Sequence, residues 1–222
     1  MIDAFAKAVA QLFDPAVRGV LRIGVAIAVL VFAVLWTTVG ALLAGTETFA
    51  WAWLEWALDI VGGVATVALT WLLFPGVISA ATALFLDRVA EAVERRHYPE
   101  LGPAAGVPAT ASVVAALKFF AVMLGFNIVL LAFLLIWPVF PFVFYGVNGY
   151  LLGREYFELV ALRRLGAREA RALRLARRGP LILAGALVAI LLTIPVVNLV
   201  APVVATAAMV HLFEAWRRAP TA

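Results

Sequence analysis

The residues best suited to chemistry in this sequence are arginines and asparagines set at the ends or in the middle of apolar stretches. Arg18 follows Asp14-Pro15, a pair that reads as a helix N-cap and a first-turn proline. The amides of Ala16, Val17 and Arg18, together with the helix dipole, would favour an anion there, with Arg22 assisting one turn later. The chemistry would be oxyanion binding; a basic anchor on lipid phosphate uses the same residue types, and both remain open. Asn127, Asn148 and Asn198 lie inside apolar segments. They could line a substrate path or hydrogen-bond between helices. Arg154 and Glu155 could pair in a polar vestibule or simply mark the headgroup boundary. Arg168, Arg171, Arg174, Arg177 and Arg178 spread over half of a helix, with Ala172, Leu173 and Ala176 opposite. That is the pattern of a membrane-surface helix, and a vestibule attracting anions is the other use of it.

Other chemistries find no residues to carry them. The sequence has no cysteine, so thiolate metal sites, disulfides and catalytic thiols are excluded. His97 and His211 have no carboxylate or cysteine at ligand spacing, and no metal or other cofactor is expected. Nucleophile elbow, P-loop, HExxH and GxGxxG motifs are absent, and an enzyme is not expected. The formal net charge of +4 comes without a nucleic-acid recognition motif. In an apolar chain, such an excess sets orientation and touches anionic lipid headgroups.

The elements that must position these residues are membrane elements. Apolar residues make up 66% of the chain and charged residues 14%, far from the balance of a soluble domain. The expectation is an all-α integral membrane protein forming one membrane domain. It has two long transmembrane helices plus two re-entrant (hemi-membrane) helical hairpins and amphipathic interfacial helices. Residues 1–18 read as an interfacial amphipathic helix rather than a cleavable signal. Asp3, Lys7, Gln11, Asp14 and Arg18 lie on one face, with Ile2, Phe5, Val9, Leu12 and Phe13 on the other. Residues 20–44 and 57–86 read as the two long spans, the second kinked at Pro75-Gly76. Residues 87–112 read as a solvated cytoplasmic helix and loop, and 154–179 as a basic cytoplasmic helix.

The hairpins follow from arm length. After Pro138 and Pro141 the apolar arm 142–153 has 12 residues, about 18 Å of helix, before Arg154. The segment 180–215 repeats the form, with IPVV at its turn where the segment 113–153 has WPVF. Arms this short cannot cross a hydrocarbon core of about 30 Å without burying arginine. Pro138, Pro195 and Asn198 then fall at the apices as candidates for lining or gating a path. All basic clusters lie on one side of this topology, which makes that side, and the N-terminus, cytoplasmic; six full spans would place the charges the same way, and arm length favours the hairpins.

Four stretches carry a family resemblance: FDPAVRG at 13–19, ALFLDRVAEAVE at 83–94, the arm and charged helix at 149–164, and IPVVNLVAP at 194–202. In order and spacing they resemble the CysZ-type sulfate permease and etoposide-induced-protein family of membrane proteins. The resemblance implies two long spans with two hemi-membrane hairpins, a homo-oligomer, and movement of a small inorganic anion, sulfate above all, across the inner (plasma) membrane. It carries one anion-contacting side chain onto this chain, Arg18. Ala16 and Gly19 stand where that family has Gly and, often, a second Arg, and Asp14 adds a negative charge beside them. A function of another class also fits the residues: a non-transporting membrane scaffold or regulator whose basic surface binds lipids or a partner.

Overall fold

The computed structural model describes residues 1–44, 52–104, 125 and 138–219. Its centre is the last helix, α9 (Ala201–Arg218), in which every residue from 201 to 214 is buried. Pro202 in its first turn costs no hydrogen bond, and Ala205, Ala207 and Ala208 let neighbours approach closely. The arm expected to return through the membrane is therefore buried along most of its length, with several other helices packed against it.

The first of these is α1 (Ile2–Gln11), which lays Ala4, Ala8 and Gln11 against α9. Its large apolar residues Ile2 and Val9 point outward, as does Phe13 just beyond it, a surface suited to the membrane interface. The single helix expected over residues 1–18 is not what forms: α1 stops at Gln11, and α2 (Pro15–Ala44) begins after a turn. The cause is local. The Ala16 amide donates to Asp14 Oδ1 at 2.9 Å, and Pro15 has no amide to offer to a preceding turn.

Within α2, residues 15–41 form 27 residues of helix with a mean hydropathy of 2.4, about 40 Å long. Among the described residues this is the one helix that length and apolarity alone qualify to cross a membrane. Leu30 and Val34 are 64% and 56% exposed on it, apolar surface that water would penalise and lipid would not. It packs on α3 (Ala52–Ala83), which occupies the place of the second expected span. The contact is close at Gly24, where a Cβ would lie 2.5 Å from Thr82 Oγ1. Further along, Trp36 Nε1 donates to Thr70 Oγ1 at 2.9 Å. The helix is continuous across Pro75-Gly76, the position expected to kink. A turn at Leu84-Phe85 leads into α4 (Leu86–His97), followed by a single 3-10 turn at Pro99–Leu101.

Apart from Gly125, the rise of the first expected hairpin, including Asn127, lies outside the described residues. Its return arm is α5 (Phe140–Ala161), which does not end where the apolar sequence ends. The expected boundary between arm and charged helix at 153/154 is absent: α5 runs through it for two further turns. No breaker separates Phe142 from Ala161, since Gly153 serves a helix crossing instead. Residues 162–166 then turn the chain into α6 (Ala167–Ala176), and a bend of 87° leads to α7 (Arg178–Thr193). The expected basic helix 154–179 is thus the end of α5, a turn, α6 and the first residues of α7.

α5 and α7 make the tightest crossing described. A Cβ on Gly149 would meet the Ile182 carbonyl oxygen at 2.9 Å. One on Gly153 would collide with the Leu181 carbonyl oxygen, and one on Gly185 with the Gly149 carbonyl. Gly149 and Gly153 form a G-x-x-x-G pair, and Gly185 is the facing small residue, the arrangement that lets membrane helices touch backbone to backbone. After Thr193 the chain breaks, forms the short α8 (Pro195–Asn198), and enters α9.

Candidate functional site

The residues assigned to anion contact gather at the start of α2. Asp14 caps this helix, and Oδ2 of its carboxylate also pairs with Arg96 Nη1 of α4 at 2.7 Å. The Arg18 amide donates to the Asp14 carbonyl at 2.9 Å, so of the first-turn amides only those of Ala16 and Val17 face the carboxylate. Hydrogen bonding to Arg96, and next to it the Ala16 amide, holds the Asp14 carboxyl below its ordinary range against the opposing effect of burial. A carboxylate therefore occupies the place where a bound oxyanion would sit. The Arg18 guanidinium is exposed, 5.7 Å from the centre of the Phe13 ring, and Arg22 is also exposed one turn later.

Val17 is fully buried, packed with Val20, Val89 of α4 and Val203 of α9. Val203 follows Asn198 by five residues, and this packing joins the first turn of α9 to the start of α2. Asn198 is half-buried at the end of α8, which Pro195 opens. Pro138 sits in the turn before α5 and is exposed. Asn148 is satisfied within its own helix, where Nδ2 donates to the Phe144 carbonyl at 2.9 Å. Arg154 pairs with Glu158, not with the adjacent Glu155, at 2.8 Å.

An ionic cluster joins α4 to the turn that follows α5. Glu94 is 4% exposed and receives two arginines: Arg163 Nη2 at 3.3 Å and Arg164 Nη2 at 2.5 Å. Arg163 also reaches Asp87 Oδ1 at 3.2 Å, while Arg164 donates to the carbonyls of Leu101 and Gly102 at 3.0 and 2.9 Å. The segment expected to be a solvated helix thus turns one carboxylate inward. Two guanidinium groups sharing one buried carboxylate, with an exposed aspartate and two carbonyls completing the shell, fasten the loop after α4 to the end of α5.

A model of the family described as sulfate transporter CysZ/etoposide-induced protein 2.4 matches residues 4–202. That is about nine-tenths of the chain. The chain belongs to this family. It is a transporter-type family rather than an enzyme class, and together with the apolar α2 it makes this a membrane protein. A comparison with curated proteins found no match. The family match takes in the start of α2, Glu94, the Arg163-Arg164 pair and α8, and ends in the first turn of α9.

Beyond that cluster the fold of this family member joins two histidines that the sequence keeps 114 residues apart. The rings of His97 and His211 lie edge to face with centres 4.9 Å apart. His97 Nε2 hydrogen-bonds Gln11 Oε1, and the Tyr98 hydroxyl hydrogen-bonds His211 Nδ1, each at 2.9 Å. These bonds link α1, α4 and α9. No group of three His, Asp or Glu suited to a metal occurs among the described residues.

Desolvation first, and then the charges of Arg96 and Lys7, lower the His97 pKa from its ordinary value of 6.5. The unfolded chain takes up this proton at a higher pH than the folded one. His97 therefore costs no stability above pH 6.5, and lowers it as pH falls from 6.5 towards the depressed folded value. The thermal midpoint of the solubilised protein is expected to fall between pH 7 and pH 5, and to fall less in His97→Gln. Equal slopes for the two proteins would remove His97 from this role.

Three of these features escape a reading by residue type: the burial of Glu94, the histidine contact and the Gly185 crossing. One signal was present for the first, since Glu94 closes the 83–94 stretch that carries the family resemblance. For the third the signal was the G-x-x-x-G spacing of Gly149 and Gly153.

Proposed function

We propose that this protein is an inner-membrane permease or channel for a small oxyanion, with sulfate the foremost candidate. It works as a homo-oligomer with its N-terminus on the cytoplasmic side. The observation carrying this reading is the family match across residues 4–202. Arg18 and the amides of Ala16 and Val17 make the first contact with the anion, and Arg22 adds to the local potential. The hairpins turning at Pro138 and Pro195 are re-entrant and line or gate the path, with Asn198 offering a polar contact at the second apex.

The position of Asp14 gives this site a mechanism. An arriving oxyanion competes with the Asp14 carboxylate for the Ala16 amide, and Arg96 retains the displaced carboxylate. Asp14→Asn keeps a capping oxygen but removes the competing charge. This variant is expected to half-saturate at several-fold lower sulfate concentration in proteoliposome uptake. Arg18→Ala is expected to lose about tenfold or more in uptake, the scale of one charge-assisted contact. Unchanged half-saturation in the first variant and unchanged uptake in the second would remove the start of α2 from the path.

A further inference from the structure

The G-x-x-x-G crossing that joins α5 to α7 has a consequence on the side facing α6. Arg154 follows Gly153 directly, so the close approach sets its side chain beside Leu181 and Ile182 at the start of α7. The 87° bend between α6 and α7 brings Arg174 and Arg178 to the same place. Together with Tyr150 they line an open pocket of about 110 Å³, room for one tetrahedral oxyanion.

Its charge is unbalanced. Glu158 is the carboxylate paired with the arginines of the pocket, shared between Arg154 Nε at 2.8 Å and Arg174 Nε at 3.5 Å. Arg178 has no ion-pair partner among the described residues. The next carboxyl along α5, Glu155, is pushed towards its neutral form by burial and by Glu158. The pocket also lies at the first turn of α7, whose dipole adds positive potential. Leu181 and Ile182 wall one side, while Arg178 and Tyr150 are exposed and leave the pocket open to solvent.

We infer that the pocket bounded by Tyr150, Arg154, Arg174 and Arg178 binds one sulfate- or phosphate-type oxyanion, distinct from the site at the start of α2. The anion is either a free inorganic ion or the phosphate of an anionic lipid headgroup, since the pocket supplies the same guanidinium chemistry to both. Where the ion is free sulfate, the site belongs to the proposed transport reading; where it is a headgroup, the site stands without it.

Calorimetric titration of the detergent-solubilised full chain at physiological salt tests this. Three probes are used: inorganic sulfate, dioctanoyl phosphatidylglycerol, and dioctanoyl phosphatidylcholine as the uncharged control. Arg178→Gln is the first variant, because no ion pair among the described residues depends on Arg178. Arg171→Gln removes an equal charge from an exposed position on α6 outside the pocket. Arg178→Gln is expected to weaken one anionic probe by about tenfold or more, the scale of one charge-assisted bond. Arg171→Gln should leave that affinity within about twofold, as expected of a screened surface charge. Loss with sulfate identifies a free ion, and loss with phosphatidylglycerol identifies a headgroup. Equal losses in the two variants, unchanged binding in Arg178→Gln, or no binding of either anionic probe would overturn the proposal. The titration measures binding, not transport, so its outcome is independent of whether sulfate uptake occurs.

Discussion

Replacing Gly185 with leucine is expected to lower the stability of the solubilised protein by about 3 kcal/mol or more, at the upper end for overpacking. The obstruction is backbone, not a side chain that can rotate away: the Gly149 carbonyl lies against the position of the new Cβ, and Gly153 N is 2.5 Å from it. α5 and α7 would have to separate, and the Gly149 and Gly153 contacts would open with them. For a chain of this size the loss corresponds to a fall of about 6–12 °C in thermal midpoint. Gly146→Ala is the matched control on α5, since nothing lies within 4 Å of its Cβ. That change should raise stability by about 0.5–1 kcal/mol through reduced chain entropy. Midpoints for Gly185→Leu within about 2 °C of wild type would show that the two helices do not meet in this way.

Glu94→Gln is expected to cost about 3–5 kcal/mol, because it leaves the Arg163 and Arg164 guanidiniums buried without their carboxylate. Their side chains are only 8% and 9% exposed, so water cannot take its place. The contrast is Asp87→Asn. Asp87 contacts the same Arg163 but its side chain is 75% exposed, and its removal should cost less than about 1 kcal/mol. Combining Glu94→Gln with Arg163→Gln should cost less than the sum of the single changes, since the second removes a charge stranded by the first. Strict additivity, or similar losses for Glu94 and Asp87, would mean that the cluster does not act as a buried unit.

These two features show where sequence was informative and where it was not. The start of α2 was legible because a helix cap is local: Asp14 and Pro15 supply its acceptor and its missing amide within two residues. The all-helical chain and the apolar α2 were legible from composition and run length. The end of α5 was not, because apolar sequence stops at a membrane boundary whereas a helix stops only at a breaker, and none stands between Phe142 and Ala161. Glu94 was hidden for a different reason. It lies one turn from Ala90 on a buried face, but six of the ten residues of DRVAEAVERR are charged, and the partners that neutralise it are 69 and 70 residues away. The face of α1 was misleading in the same sense. Ala4 and Ala8 bury because they are small enough for α9 to approach, leaving the larger Ile2 and Val9 for the outside.

At the candidate site, Arg18 and the capped helix were legible, whereas the occupation of the Ala16 amide by Asp14 and its link to Arg96 needed the fold. The arginines of α6 and α7 were legible as a basic helix, but not as walls of a pocket, because the pocket depends on an 87° bend at Arg177.

The most direct measurement of the account is the initial rate of radiolabelled sulfate uptake into proteoliposomes holding the purified protein, beside protein-free liposomes of the same lipid. The account predicts protein-dependent uptake that saturates with sulfate and falls about tenfold or more in Arg18→Ala. Uptake no faster than in empty liposomes, from protein with an intact thermal transition, would contradict it and favour a non-transporting scaffold with a lipid- or partner-binding basic surface.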